Sequence, residues 1–373
     1  MSSIAVGICS PAGPSAGLYS GLLRFGRVVG MDSFLFWDHI QDFTPRAVWR
    51  SPGFSWMADK QESPHAQADP FALLAYLARS AGRIRLGVGV TDTLRQHPVS
   101  IARSAITLAT LTKRAPILGV GAGERMNTEP YGIRFDRPVS RFEEAVRILR
   151  RCLDEPGSID FAGDFHTLER APFDLTAPKR RKPEIWIAAQ GPRMLQIAGK
   201  YADGWLPAFG PSAAHYESSL RELHESARAA GRAQDAITPS LQVGMVVAPT
   251  KHEALTALRS KQVRFHAVTS ASPQAWREAG FEHPLGPAYR GFVDLIPEDL
   301  DPARLEEAMA AVPDEVLQQA NLWGTTDDIV TSIRELGDAG LRHISLIPSS
   351  YPVSKKLANY TWRALPRIIR RLR

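Results

Sequence analysis

The sequence predicts an α/β fold, a closed parallel (β/α)8 barrel of the TIM type. Three observations predict it. Eight short apolar runs alternate with eight helix-like runs along the 373 residues. The apolar runs are near-continuous rather than alternating in polarity, as strands are when both faces of a parallel sheet are covered. No Gly-x-Gly-x-x-Gly follows the first run, so an open dinucleotide-binding sheet lacks its fingerprint. One βα unit repeated over this length closes into a single barrel.

Each element can be justified in turn. "IAVGI" (4–8) is the first strand, followed by a helix around 17–29. "SFLFW" (33–37) is the second. A long polar loop then leads to the helix "DPFALLAYLARSA" (69–81), with Asp69 as N-cap and Pro70 as first helical residue. "RIRLGVGV" (83–90) leads to "PVSIARSAITLATL" (98–111), and "PILGVGAG" (116–123) to "RFEEAVRILRRCL" (141–153). "PEIWIAAQ" (183–190) leads to a helix at 192–202, and "DGWLPAF" (203–209) to one near 213–230. "SLQVGMVVA" (240–248) leads to 252–260, and "HISLIP" (343–348) to the C-terminal helix. Residues 156–176 predict a hairpin excursion. Residues 261–325, punctuated by proline, predict an insertion before the last unit. The chain is read as one domain, 1–373.

Composition narrows the class. A hydrophobic fraction of 44% with 23% charged residues is that of a soluble globular chain. No stretch approaches the roughly 20 apolar residues of a membrane span. The start, "MSSIAVGICSPAG", lacks the basic n-region of a signal peptide. Cys9 and Cys152 lie far apart and match no metal or redox spacing, so a reducing cytoplasm and no metal are expected. The net charge of +6 is scattered, with small clusters at "KRRK" (179–182) and "RALPRIIRRLR" (363–373). No nucleic-acid motif accompanies them, so they read as a solvated surface and no nucleic-acid partner is expected. The apolar residues of the last helix are expected to dock on the barrel, leaving no face for stable membrane insertion.

In such a barrel the chemistry sits at the C-terminal strand ends. Asp38 and His39 close the second strand. Gly89, Val90 and Thr91 close the third. Gly121, Gly123, Glu124 and Asn127 follow the fourth. Ala188, Ala189, Gln190, Gly191 and Pro192 follow the fifth. Each has a plain alternative. An Asp-His pair can cap a loop, "GVGAGE" can simply turn a strand, and "AAQGP" can be an ordinary turn with proline at the first helical position. A helix start of that kind also favours an anion such as phosphate.

At these residues the chain resembles a family. "FLFWDHI", "LGVGVTDTLRQHP", "ILGVGAGERMNTEPYG", "RFEEAVRILR", "PEIWIAAQGPRMLQIAGKYADGWLP" and "GTTDDIVTSIRELGDAGLRHISL" are similar, in order and spacing, to the luciferase-like monooxygenase superfamily. Within it they resemble the branch that uses the deazaflavin coenzyme F-420. The phthiodiolone dimycocerosate ketoreductases of that branch share patterns like "EHPLG" (282–286) and "DLIP" (294–297).

The resemblance implies a barrel with an insertion before the last strand, and a homodimer. It implies that Asp38 hydrogen-bonds the coenzyme ring and that His39 stands beside the reacting carbon. Gly89–Val90 would be a cis peptide backing the deazaflavin. Glu124 would be a proton donor and Asn127 a coenzyme contact; Ala189, Gln190, Gly191 and Pro192 would bind its phosphate, with Thr91 and Ala188 also cofactor-binding. Phe43 stands where sugar-phosphate relatives carry tryptophan, and "CSPAGPS" lacks their glutamate. That disfavours a sugar phosphate. Phe43, Trp56 and Phe209, with Trp37 and Phe54, suggest an apolar mouth for a bulky or lipid-like ketone.

The activity implied is hydride transfer from the reduced deazaflavin to a carbonyl, with His39 or Glu124 delivering the proton. Three alternatives stay open: reduction of an activated C=C bond, an FMN-dependent monooxygenase on the same barrel, and a non-catalytic deazaflavin carrier.

Overall fold

Strand β1 (Ala5–Ser10) pairs in parallel with β2 (Ser33–Phe36), and β2 with β3 (Arg85–Asp92) and β3 with β4 (Ile117–Gly121). An antiparallel hairpin of β5 (Gly157–Ala162) and β6 (Thr167–Phe173) leaves the sheet before β7 (Glu184–Ile187). Then β8 (Gly204–Trp205), β9 (Thr238–Val247) and β11 (His343–Ile347) carry the parallel order back to β1 and close an eight-stranded barrel. A further strand, β10 (Asn321–Gly324), pairs with β9. This computed structural model describes residues 3–271 and 273–373. Met1 and Ser2, part of the N-terminal reading, and Ser272, in the 261–325 region, lie outside the described residues.

Local chemistry starts the helices, at Asp69 as the sequence predicts and at Thr325 where no helix was expected. Asp69 accepts a hydrogen bond from the Ala72 N–H ahead of Pro70–Ala81, and Thr325 and Asp328 form a capping box ahead of Thr326–Asp338. The helix expected at 141–153 begins earlier, at Pro138, because proline suits the first helical position.

The sixth strand is shorter than the 203–209 expected. Pro207 has no N–H to continue a ladder; its carbonyl instead accepts from Gln242 N–H. Beyond that point β10 runs along the C-terminal half of β9, Asn321 opposite Gly244 through Gly324 opposite Val247. The 261–325 region therefore supplies a strand as well as helices, Lys261–Ser270, Pro302–Ala310 and Asp314–Ala320 among them.

Packing follows strand alternation. Cys9, Leu35, Ile117, Trp186 and Leu206 fill the barrel, with Val90 and Ile347 against them. Their neighbours Ile8, Phe34, Phe36, Leu118, Ile185 and Ile187 face outward to the helices. A separate core, holding Phe43, Phe54, Val246, Phe265 and Leu317, joins the 261–325 region to the barrel. The C-terminal helix Lys355–Leu372 buries Leu365, Ile368, Ile369 and Leu372 against the rest of the chain. Among the described residues no helix is long and apolar enough to cross a membrane.

Candidate active site

Strand β2 emerges from the core at Trp37 and delivers Asp38 to a buried position. Its N–H donates to the Val90 carbonyl at 3.3 Å, and Thr91 Oγ1 donates to its carboxylate at 2.5 Å. Between Gly89 and Val90 the peptide bond is cis, and the β3–β4 register shifts between Val88 and Thr91. The Cys9 thiol donates to the Gly89 carbonyl at 3.6 Å from inside the barrel. Val90 thus stands over β4, which explains two glycines there. A Cβ on Gly119 would lie 2.3 Å from the Val88 oxygen and 3.0 Å from Val90 Cγ1. One on Gly121 would lie 3.1 Å from Val90 Cγ2. Gly119→Ala is expected to cost about 1–3 kcal/mol of stability, the scale of an overpacked core, read by denaturant unfolding. An unchanged midpoint would show that β3 gives way freely.

His39 is held among aromatic rings. Trp37 stacks beside it at 6.1 Å and Phe43 meets it edge-on at 4.8 Å, while Phe43 itself stacks at 4.2 Å on Phe292 of the 261–325 region. Glu124 Oε2 lies 3.4 Å from His39 Nε2 without the alignment of a hydrogen bond. Asn127 ties the two loops together. Its amide donates to Glu124 Oε2 at 3.2 Å, and its oxygen accepts from Ile40 N–H at 2.9 Å.

Burial sets the protonation states. Desolvation first, then the charge of Asp92, push the Glu124 carboxyl up to about 8, against the opposing pull of Arg95 and Asn127. Desolvation and the Arg95 charge push His39 down to about 3. The Glu124 side chain keeps 25% exposure through the mouth, so a ring seated there would desolvate it further. At neutral pH the pair is a carboxylic acid beside a neutral imidazole.

Sequence reasoning missed the group that organises this mouth. Arg95, with its side chain 8% exposed, donates from Nη2 to the Asp38 carbonyl at 2.6 Å and lies 3.4 Å from the Asp38 carboxylate. Its Nε pairs with Asp92, whose other oxygen accepts from the Leu94 and Arg95 N–H groups at 2.9 and 2.8 Å. The signal was present: Asp-x-x-Arg in "TDTLRQHP", directly after a strand, is an aspartate turn that folds the arginine back onto its own cap.

The fifth turn closes the mouth. Ala188 N–H donates to the Val120 carbonyl at 3.0 Å, and the buried Ala189 carbonyl accepts from Trp205 Nε1 at 2.8 Å. Gln190 donates to the Ala208 carbonyl at 2.8 Å. Gly191 caps the helix Pro192–Tyr201 with open space around it. Its first intrahelical bond is Leu195 N–H to Gly191 O, so the N–H groups of Arg193 and Met194 precede the helical ladder. Trp56 stands against Tyr351, donating to its carbonyl at 2.7 Å, and Phe209 packs on Trp205 and Tyr216. Phe54 lies in the core between Trp49 and Phe265. A polar-rimmed cleft of about 480 Å³, with Gln41, Arg46, His65, Tyr131 and Glu298 on its walls, borders the loop that carries His39.

Against this geometry the comparisons are decisive. Residues 53–343 match the luciferase-like monooxygenase family. The chain belongs to that family. It is an oxidoreductase. It is 35% identical over 325 residues to a phthiodiolone/phenolphthiodiolone dimycocerosates ketoreductase of Mycobacterium tuberculosis, covering 87% of this chain and 85% of that one. Among solved structures it is similar to an F-420-dependent secondary alcohol dehydrogenase in complex with an F-420–acetone adduct, with a TM-score of 0.76 and 18% identity over the whole of both chains. It is also similar to a riboflavin lyase with modified FMN and riboflavin, with a TM-score of 0.72 and 14% identity over 99% of this chain and 92% of that one. Such distant likenesses carry the barrel alone, which both solved structures share with this chain.

Proposed function

We propose that this family member reduces a ketone to a secondary alcohol with coenzyme F-420, and that Glu124 supplies the proton. The observation that carries the proposal is the Glu124–His39 pair: an acid held up to about 8, 3.4 Å from an imidazole held neutral. The donor set fits a deazaflavin. Asp38, its carboxylate braced by the buried Thr91 hydroxyl, offers a polar contact to the ring edge above the Val90 bulge. The helix start at Gly191–Met194 offers backbone N–H groups and the positive end of a dipole to a phosphate.

When bound, the reduced coenzyme supplies the hydride. The chain's residues do the rest. Asp38, Thr91 and Arg95 fix the edge of the mouth. Trp37, Phe43 and Phe292 wall off water behind His39. As the carbonyl carbon gains a hydride its oxygen gains negative charge, and Glu124 gives that oxygen its proton, so that C=O becomes CH–OH. His39, neutral, orients the carbonyl by a single hydrogen bond and does not act as imidazolium. The printed name of the mycobacterial relative supports a ketone substrate.

A screen tests the reading. Reduced F-420 is mixed with the enzyme and a panel of bulky ketones, with activated alkenes as the second arm and FMN with oxygen as the third. Coenzyme oxidation with ketones, and with them above the other arms, is the expected outcome. Turnover confined to alkenes, or to FMN with oxygen, would replace the ketoreductase reading.

A further inference from the structure

All barrel strands run the same way, so their first residues meet at the end opposite the catalytic mouth. There Ser33, Arg85, Thr238 and His343, each the first residue of its strand, line a cleft of about 650 Å³. Arg27, Arg83, Lys113, Arg114 and Arg342, from four different connections, line its rim, and Arg85 and Arg373 join them.

The charges are poorly answered. Arg85 Nη2 sits 2.8 Å from Glu184, and Arg373 is 3.7 Å from Asp32, the carboxylate that lines the cleft. Asp32 is already occupied, its other oxygen accepting from Val6 N–H at 2.9 Å. Arg342 reaches the Gly337 and Leu341 carbonyls, which satisfy its hydrogen bonds and leave its charge. The side chains of Arg27, Arg83, Lys113 and Arg114 make no hydrogen bond or ion pair with the described residues, although the Arg114 carbonyl accepts from Thr112 Oγ1 at 2.9 Å. The floor is polar too. Ser33 Oγ lies 2.8 Å from His343 Nε2, and His343 Nδ1, on a residue 4% exposed, is buried without a partner. An unpaired buried ring nitrogen beneath a ring of uncompensated cations marks a site built for something absent from the chain itself.

We propose that this end of the barrel binds a small soluble polyanion bearing a diphosphate group. One singly charged ion would leave most of the cations unanswered. A planar anionic membrane would meet the rim alone and not the concave floor. Trp186 beneath the cleft is fully buried, so no aromatic face is offered for a base to stack on. Recognition is therefore by charge and by guanidinium forks, which match phosphate oxygens. Of the clusters in the sequence, the C-terminal run contributes Arg373 to the lining, while Arg181 of "KRRK" braces the neighbouring loop by donating to the Thr112 carbonyl, next to Lys113 and Arg114.

Titration calorimetry with inorganic pyrophosphate on the full chain tests this, with orthophosphate and vesicles containing anionic lipid as parallel arms. The variant combines Arg83→Gln, Lys113→Gln and Arg114→Gln, all exposed, and Arg114→Gln alone serves as the milder change. Expected are saturable one-site binding of pyrophosphate, weaker binding of orthophosphate, at least about 10-fold loss of affinity in the triple variant, and a smaller loss in the single one. Melting temperatures without ligand should match the parent. Absence of saturable binding, or equal affinity in the triple variant, would overturn the site. Vesicle binding lost in the variant, with pyrophosphate inert, would make this face a membrane contact instead.

Discussion

Glu124→Gln is expected to lower ketone turnover by about 10²-fold or more, the scale of general acid catalysis, while leaving coenzyme affinity nearly unchanged. Glutamine keeps the shape and the Asn127 contact and cannot deliver the proton. The pH profile makes the test specific. Reduction needs Glu124 protonated, and its carboxyl is held up to about 8. Parent turnover should therefore be level near neutrality and fall as pH rises through about 8. His39, held down to about 3, adds no limb between pH 5 and 7. The glutamine variant should lose the alkaline limb. Stability also falls with rising pH, in a lower window. The folded state holds this proton more tightly than the unfolded chain, so the parent loses stability as pH climbs from about 4.5 towards 8, and the variant does not. A variant with parent turnover and the same limb would remove Glu124 from the chemistry.

Arg95→Met should be the most destabilising single change at the mouth, by about 3–5 kcal/mol, because it strands Asp38 and Asp92 without their buried cation. The sign of its pH dependence follows from Asp38. Burial already raises that carboxyl above its ordinary value, and Arg95 is the leading opposing influence. Without the guanidinium it rises further. A carboxyl whose folded pKa exceeds its unfolded one weakens the fold as pH climbs between the two. The deficit should therefore be larger at pH 8 than at pH 5. Urea unfolding at both pH values reads this directly. A loss below about 1 kcal/mol at pH 8, the range of an exposed pair, would mean that Arg95 is solvated and holds nothing.

The barrel was legible because its strands are apolar on both faces and its helices carry their start signals in the sequence. Asp69-Pro70 marks a helix start that the structure keeps, whereas the helix Thr326–Asp338, begun by Thr325 and Asp328, was not read from the sequence. Asp38, His39, Glu124 and Asn127 were legible as polar residues at the ends of buried runs, and the structure brings these four together. Arg95 was not, because an arginine in a loop ordinarily lies in water and its burial depends on two carboxylates, one of them 57 residues away. The aromatic residues of the second loop were misleading for a similar reason. Phe43 and Phe54 read as the wall of an open mouth, yet Phe292 and Phe265 of the 261–325 region cover them. That region has no simple period to announce what it packs against. Strand β10 was missed because four residues, "NLWG", carry no pattern of their own and are ordered by the free half of β9.

A cleft with charged walls borders the loop that carries His39. Arg46, His65, Tyr131 and Glu298 give it a polar rim, with His65 Nε2 2.7 Å from Glu298 Oε1.

Titration calorimetry of oxidised F-420 and of FMN into the same preparation tests the central claim most directly, because every assigned role depends on which ring occupies the mouth. F-420 is expected to bind at least about 10-fold more tightly, a difference of about 1.4 kcal/mol. FMN binding as tightly as F-420, or more so, would contradict the account.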